Sequence, residues 1–190
     1  FNEGHLELMQ AIADQAGVAV LNARLYTESQ RQARVMTALA ESAAAINTSL
    51  RMEEVLQRIL NQAMQALQVE TAAVALSDPQ TGELVFRAAA GQNAGNIINR
   101  RVPAGQGLVN LVAREGRGLV IPSVSADKRF TEADRFGGIK TKAMAAAPIQ
   151  TQAGVIGVIE AINPVSGTFD PDALLVMTGL GSLAGTTIQN

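Results

Sequence analysis

The sequence has 190 residues, of which 47% are apolar and 17% charged, a balance that supports a packed core and excludes a disordered chain. The formal net charge is −2, so no overall field draws the chain to nucleic acid or an anionic membrane. There is no cysteine and one histidine, which excludes disulfides and thiolate catalysis and argues against a histidine-based metal site. Without a signal peptide or an apolar run of about 18 residues, we expect a cytoplasmic protein.

The chain begins with a long stretch of helix-forming residues. From about residue 5 to 47 there is no proline and one glycine, Gly17, which predicts a helix of roughly 60 Å. Apolar residues fall in it on positions spaced alternately by three and four, the heptad spacing of a coiled coil, and Glu28, Gln32 and Ser42 occupy the remaining positions of that spacing. This seam consists of Val18, Leu21, Leu25, Val35, Leu39 and Ile46. We expect a connector helix that forms a parallel homodimer; the alternative is two shorter helices interrupted near Thr27–Arg34.

Further elements follow in a mixed order. "MEEVLQRILNQAMQAL" predicts a second helix capped by Ser49, and two short runs around "DPQTG" predict a hairpin. "INRRVP" is read as a strand, "GQGLVNLVAREG" as a short helix ended by Gly116, and "GLVIPSV" as a strand stopped at Pro122. "TKAMAAAPIQT" and "GVIGVIEAIN" predict the last hairpin, and a closing helix has Pro171 in its first turn.

This order indicates an α+β fold. We expect a central antiparallel sheet with the terminal helices on one face. The other face should carry pocket-forming loops and short helices from about residue 92 to 140. The long connector helix precedes this domain.

Four segments in order resemble the GAF domain, a small sensory module of bacterial signalling proteins and phosphodiesterases. They are "AINTSLRMEEVLQRILNQAMQALQVETAAVALSDPQTGEL", "GQGLVNLVAREGRGLVIPSVSADKRF", "TKAMAAAPIQTQAGVIGVIEAINP" and "FDPDALLVMTGLGSLAGTTIQN". In the third, Pro148, Gly154 and Gly157 stand where the family has them. The resemblance implies a GAF domain at residues 38–190.

The first 22 residues match the last 22 without a gap. Identical pairs are Phe1/Phe169, Leu6/Leu174, Met9/Met177, Ala16/Ala184, Gly17/Gly185 and Asn22/Asn190. We interpret residues 1–37 as the closing helix of an upstream tandem GAF unit followed by the connector. The alternative is chance similarity between two Ala- and Leu-rich helices.

No catalytic site or cofactor is expected. Asp127, Glu132 and Asp134 are read as caps or solvated loop charges, and the arginines as a solvated basic face: Arg100, Arg101, Arg114 and Arg117. The GAF relatives that reduce methionine sulfoxide, and those that attach a bilin, use cysteine, which this chain lacks. Cyclic-nucleotide-binding relatives carry an Asn-Lys pair, but here Pro164 follows Asn163, which puts that ligand in doubt.

A ligand pocket is expected between the sheet and the segment from Gly105 to Lys142. The apolar candidates are Leu108, Val112, Val120, Phe130, Phe136 and Met144, and the polar candidates are Arg129, Thr141 and Lys142. Basic residues outnumber acidic ones in this loop, which would suit an anionic ligand. The alternative is that the phenylalanines fill core space and the charges are solvated.

Together these patterns predict a sensory or regulatory GAF module of a multidomain signalling protein. We expect it to bind a small molecule, to dimerise, and to pass the signal through helical connectors to an effector domain in the same chain. A ligand-free dimerisation module of the same fold shares every feature. An enzyme would need a convergent polar cluster, which the sequence does not indicate; no metal, nucleic acid or membrane is expected to bind.

Overall fold

The computed structural model describes residues 3–136 and 138–189, apart from the side chains of residues 43–47, 49 and 50. The chain divides into two units, Phe1–Ser49 and Leu50–Asn190. This division lies later in the chain than the predicted boundary between residues 37 and 38. Phe1 and Asn190 of the predicted repeat, and the side chain of Ile46, lie outside the described residues.

The chain begins with one long helix, α1 (Glu3–Leu67). It continues through Thr27–Arg34, so the first of the two alternatives is correct. It also continues through Ser49, so the predicted second helix belongs to α1 and Ser49 is not a cap. No proline occurs in this range, so no backbone N–H is removed and no ring blocks the preceding turn.

Six antiparallel strands form one sheet in the order β3-β2-β1-β6-β5-β4. Their bounds are β1 (Val69–Ser77), β2 (Leu84–Gly91), β3 (Arg101–Val102), β4 (Leu119–Ile121), β5 (Met144–Thr151) and β6 (Gly154–Pro164). Both predicted hairpins are confirmed as β1–β2 and β5–β6. Strand β4 ends immediately before Pro122, which lacks the N–H that a continuing ladder needs.

One face of the sheet is covered by the terminal helices. The second half of α1 contributes Leu56, Ile59 and Leu60, and α4 (Ala173–Gln189) contributes Met177 and Ala184 to the same core cluster. A Cβ on Gly181 or Gly185 would collide with the carbonyl oxygens of Pro148 and Gln150, so these glycines let α4 approach β5 closely. Helix α4 begins two residues after Pro171.

The opposite face carries the short elements, as the sequence predicts. They are α2 (Ala94–Ile97), α3 (Gly107–Glu115) and two 3₁₀ turns, Val124–Ala126 and Glu132–Asp134. The amphipathic α3 places Leu108, Val109 and Val112 on the sheet and ends at Gly116, whose φ of 64° is left-handed. The two-layer α+β architecture with a long N-terminal helix is therefore confirmed.

Among the described helices, none combines the length and apolar character that crossing a bilayer would require.

Candidate functional site

Four of the predicted pocket residues meet in one core cluster between the sheet and α3. Leu108, Val112, Phe136 and Met144 are each at most 3% exposed. Phe130 is half-buried against the same cluster. These side chains form the apolar interior of this layer, and their packing agrees with the alternative in which the phenylalanines fill the core.

The structure places Val120 on the other face of the sheet. Successive residues of a strand point to opposite faces, so Leu119 and Ile121 contact the cluster under α3 while Val120 packs against the terminal-helix cluster. Val120 is therefore not part of this site. The length of β4 and its register with β5 determine this facing, and neither is visible in a run of three apolar letters.

The predicted polar residues are not brought together. Arg129 is exposed, and its guanidinium bonds both carboxylate oxygens of Asp127 at 3.0 and 2.7 Å, which lowers the pKa of Asp127 to about 2. Lys142 is exposed, and only its backbone N–H points inward, donating to Asn163 Oδ1 at 2.7 Å. Thr141 differs, because its buried Oγ1 has no hydrogen-bond partner.

A buried carboxyl that the sequence reading did not single out lies at the centre of this face. Glu160, on β6, is 1% exposed, and its Oε1 has no hydrogen-bond partner. Its partners in register are Ala73 on β1 and Ala146 on β5, so the carboxyl is flanked by two of the smallest side chains. Burial, and to a smaller extent the negative charge of Asp134, raises the pKa of Glu160 to about 8 against the opposing effect of Arg100.

Asp134 is also buried, and of the two roles expected for it, cap or solvated charge, the structure shows the cap. It accepts hydrogen bonds from the backbone N–H and the hydroxyl of Thr131, at 2.8 and 3.1 Å, which completes a capping box at the second 3₁₀ turn. Its other oxygen accepts from the N–H of Leu108 in the first turn of α3. A Cβ on Gly107 would collide with this carboxylate, so glycine there admits the contact.

Arg100 was predicted to belong to a solvated basic face, but in the structure its guanidinium is partly buried. Its Nη2 donates to the carbonyl of Ala133 at 2.7 Å, and its guanidinium lies 5.8 Å from the ring centroid of Phe136. That ring meets Phe86 edge-on at 5.3 Å. The Nη1 atom of Arg100 is buried without a partner. The guanidinium is thus held from two sides while one nitrogen remains free to donate.

Asn163 holds the loop that precedes β5. Its Oδ1 accepts from the N–H groups of Lys142 and Ala143, and its Nδ2 donates to Glu70 and to the carbonyl of Lys140, both at 2.9 Å. The residue has a left-handed φ of 57°, a conformation that asparagine tolerates better than most residues. Asn163 is therefore a positioning residue for the segment that carries Thr141.

One signal in the sequence could have found this cluster. In "GVIGVIEAINP" Glu160 is the one charged residue of the strand and has apolar residues on both sides, which indicates a buried carboxyl that needs a compensating group. Arg100 and Asp134 carry no comparable signal, because each lies in a polar segment whose burial depends on tertiary packing.

A shallow surface depression of about 270 Å³ lies apart from this cluster, with Ser77, Asn110, Arg114 and Val155 among its lining residues. The amide of Asn110 already donates to the carbonyls of Pro103 and Gln106. We therefore take the Glu160 cluster, and not this depression, as the candidate site. In the described part of the chain, no group of three or more His, Cys, Asp or Glu residues could hold a metal ion.

The family model of the GAF domain matches residues 51–188. This chain belongs to the GAF family. GAF domains are sensory and regulatory modules of signalling proteins, and the predicted family is confirmed.

Solved structures share the fold. The GAF domain of an Acinetobacter phosphoenolpyruvate-protein phosphotransferase superposes with a TM-score of 0.64 at 20% identity, covering 77% of this chain and 93% of that one. The second GAF domain of DevS from Mycobacterium smegmatis superposes with a TM-score of 0.59 at 16% identity, and the match covers 73% of this chain and 93% of the DevS domain. A free methionine-R-sulfoxide reductase from Neisseria meningitidis superposes with a TM-score of 0.59 at 18% identity, and the match covers 78% of this chain and 90% of the reductase. At these identities the likeness extends to the fold alone.

A curated relative is similar in sequence over a shorter range. The chain is 38% identical over 91 residues to a dual 3',5'-cyclic-AMP and -GMP phosphodiesterase 11A from Takifugu rubripes. The match covers 45% of this chain and only 10% of the phosphodiesterase.

Proposed function

We propose that this GAF domain is the sensory module of a multidomain signalling protein, and that it binds a small molecule beneath α3. The observation that carries the proposal is the buried carboxyl of Glu160, whose Oε1 has no partner, together with Arg100, whose Nη1 has none and whose charge acts on that carboxyl. A buried polar atom left unpaired costs about 1–3 kcal/mol, so a ligand that pairs these atoms gains that free energy on binding. Most buried polar groups in native structures are paired, so an unpaired one needs an explanation, and a functional role is among the recognised ones.

Strand β6 offers a route from the site to the terminal helices. Glu160 points to the α3 side, whereas its neighbours Ile159 and Ala161 belong to the cluster covered by α1 and α4. A ligand shifts the arrangement of these helices only by its differential affinity for two states. A coupling of about 1–3 kcal/mol would be typical of such a link.

We further propose that two copies form a parallel homodimer through α1. The seam residues are between 49% and 61% exposed in the single chain: Val18, Leu21, Leu25, Val35 and Leu39. A heptad seam of apolar residues is buried most simply on the same seam of a second copy. Ile46 extends the proposed seam.

The output is proposed to reach an effector domain in the same full-length chain, located in the cytoplasm. We propose a regulatory and not an enzymatic role, because the GAF relatives that reduce methionine sulfoxide use cysteine, which is absent here. The net charge of −2 supports neither a nucleic-acid nor a membrane partner. No bilin or cyclic nucleotide is proposed as a cofactor.

A ligand-free dimerisation module is the second candidate. The complete burial of Leu108, Val112, Phe136 and Met144 favours it, because a filled layer needs no ligand for its stability.

Native mass spectrometry of the purified protein separates the two candidates. We expect wild type to retain a small molecule, and Ala146→Val, which crowds the side of Glu160, to lose it. Ala145→Val is the matched control: it lies on the same strand, is equally buried and faces the terminal helices, so it should keep the ligand. Both changes overpack the core at a cost of about 1–3 kcal/mol. A dimer that carries no molecule in any variant would favour the ligand-free module.

A further inference from the structure

The charges that surround Glu160 restrict the class of molecule that the site can take. Two charged side chains act on the Glu160 carboxyl: Asp134 from the second 3₁₀ turn and Arg100 from the residue before β3. The other charged residues on the described segments that cover this face are exposed: Arg101, Arg114, Glu115, Arg117, Lys128, Arg129, Glu132, Arg135, Lys140 and Lys142. The half-buried Asp127 is paired with Arg129. The local charge balance therefore depends on three side chains, those of Glu160, Asp134 and Arg100.

These three groups are electrically balanced at neutral pH. Because the pKa of Glu160 is raised to about 8, its carboxyl is mostly protonated at pH 7. The positive charge of Arg100 then offsets the negative charge of Asp134. A ligand with a net charge would bring an uncompensated charge into a buried site, which is unfavourable unless the charge is paired.

The balanced cluster still presents hydrogen-bonding atoms. Arg100 Nη1 can only donate, so it requires an acceptor on the ligand. Glu160 Oε1 can accept from a ligand N–H. The ring of Phe136 lies beside Arg100 and meets Phe86 edge-on, so the surroundings of the Arg100 guanidinium are partly aromatic.

We propose that the site recognises a small uncharged molecule of the amide or urea class, whose carbonyl oxygen accepts from Arg100 and whose N–H donates to Glu160. The inference rests on the small-molecule site proposed above and specifies its ligand. It replaces the anionic ligand that the basic loop predicts, because the loop cations are exposed and one of them, Arg129, is already paired with Asp127. When Glu160 ionises at higher pH, the site gains one negative charge, and its preference shifts to a cation.

Three probes of nearly the same shape test this inference: benzamide is neutral and has both an acceptor and a donor, benzoate is an anion with acceptors only, and benzamidine is a cation with donors only. Affinities for the wild-type protein are measured by ligand-observed NMR at about pH 6 and about pH 9.5, on either side of the Glu160 titration. At the lower pH we expect benzamide to bind about tenfold more tightly than either ion, a difference that is readily resolved. At the higher pH benzamidine should become the tightest of the three.

Glu160→Gln provides the matched variant, because glutamine has the shape of the protonated acid and does not ionise. We expect it to prefer benzamide at both pH values. A preference for benzoate, or the same order of affinities at both pH values in wild type, would overturn the inference while leaving a small-molecule site in place. Failure of all three probes to bind a folded wild-type protein would contradict both the inference and the proposed site.

Discussion

The carboxyl of Glu160 ties the stability of the domain to pH. Its pKa is raised from 4.5 to about 8, so between these values the native protein holds a proton that the unfolded chain has already lost. The contribution of this group is fully present below about pH 4 and is lost as the pH rises through the folded pKa. Above about pH 8 both states are ionised and the dependence on this group ends.

We expect Glu160→Gln to remove this dependence. As the pH rises from about 4.5 to about 8, wild type should lose a few kcal/mol of its free energy of unfolding through Glu160. The variant should not lose this contribution, because glutamine does not ionise. Urea unfolding at a series of pH values measures this difference. Glu115→Gln, at an exposed carboxyl of α3, is the control and should parallel wild type. Parallel curves for Glu160→Gln and wild type would contradict the prediction.

Asp134 influences Glu160 through its charge. Its negative charge raises the pKa of Glu160, so Asp134→Asn should lower that pKa below about 8 while keeping one acceptor oxygen, enough for either Thr131 or Leu108. Carbon-13 NMR of the Glu160 carboxyl carbon follows the titration. Asp127→Asn is the control, since Asp127 is paired with Arg129 and is not among the charges that act on Glu160. Equal midpoints in the two variants would show that the Asp134 charge has no effect.

At the scale of elements, Gly17 and Gly185 are a matched pair in the repeat formed by the first and last 22 residues, but their surroundings differ. Gly185 in α4 lies against the carbonyl oxygen of Gln150, where a Cβ would collide, whereas nothing lies within 4 Å of a Cβ on Gly17 in α1. Glycine in a helix interior costs about 1 kcal/mol relative to alanine. The packing against β5 explains Gly185, and the described residues give no such reason for Gly17.

We therefore expect opposite effects from the same substitution. Gly17→Ala should stabilise α1 by about 1 kcal/mol. Gly185→Ala should destabilise the sheet domain by about 1–3 kcal/mol, because β5 must shift to admit the methyl group. Calorimetric unfolding of both variants measures this. Destabilisation by Gly17→Ala would instead indicate that this face of α1 is covered in the intact protein, as the interpretation of an upstream tandem unit requires.

At the scale of the whole molecule, the proposed dimer depends on the seam of α1. Leu39→Glu places a charge among the apolar side chains of two copies, and a buried unpaired charge is strongly unfavourable. We expect sedimentation analysis at micromolar concentration to show a dimer for wild type and a shift toward monomer for this variant.

Thr37→Glu is the matched control for the dimer. It adds the same charge two residues away, on the opposite side of the helix at about 200°. We expect it to remain a dimer. Dissociation by both variants would indicate a general effect of charge on the helix, and a monomeric wild type would rule out the seam as an interface at that concentration.

Much of the fold follows from the sequence because its signals are local. The heptad spacing and the absence of proline predict the first part of α1, the turn "DPQTG" predicts the first hairpin, and Gly116 ends α3 as expected. Spacing, turn chemistry and caps act over a few residues, so they can be read before the chain is folded. The order of the predicted elements also indicated that the short helices and loops, which lie between the two hairpins in the chain, cover the face of the sheet opposite the terminal helices.

The tertiary structure alone decided which side chains these elements bury. Val120 faces the terminal helices because of its register in β4, and Arg100 and Asp134 are drawn inward by contacts with Ala133, Phe136 and Leu108. These partners are distant in sequence, and the cost of burying a charge depends on what surrounds it. Sequence alone therefore determined the domain and its layers, and packing determined that the balanced cluster around Glu160 lies at the centre of one of them.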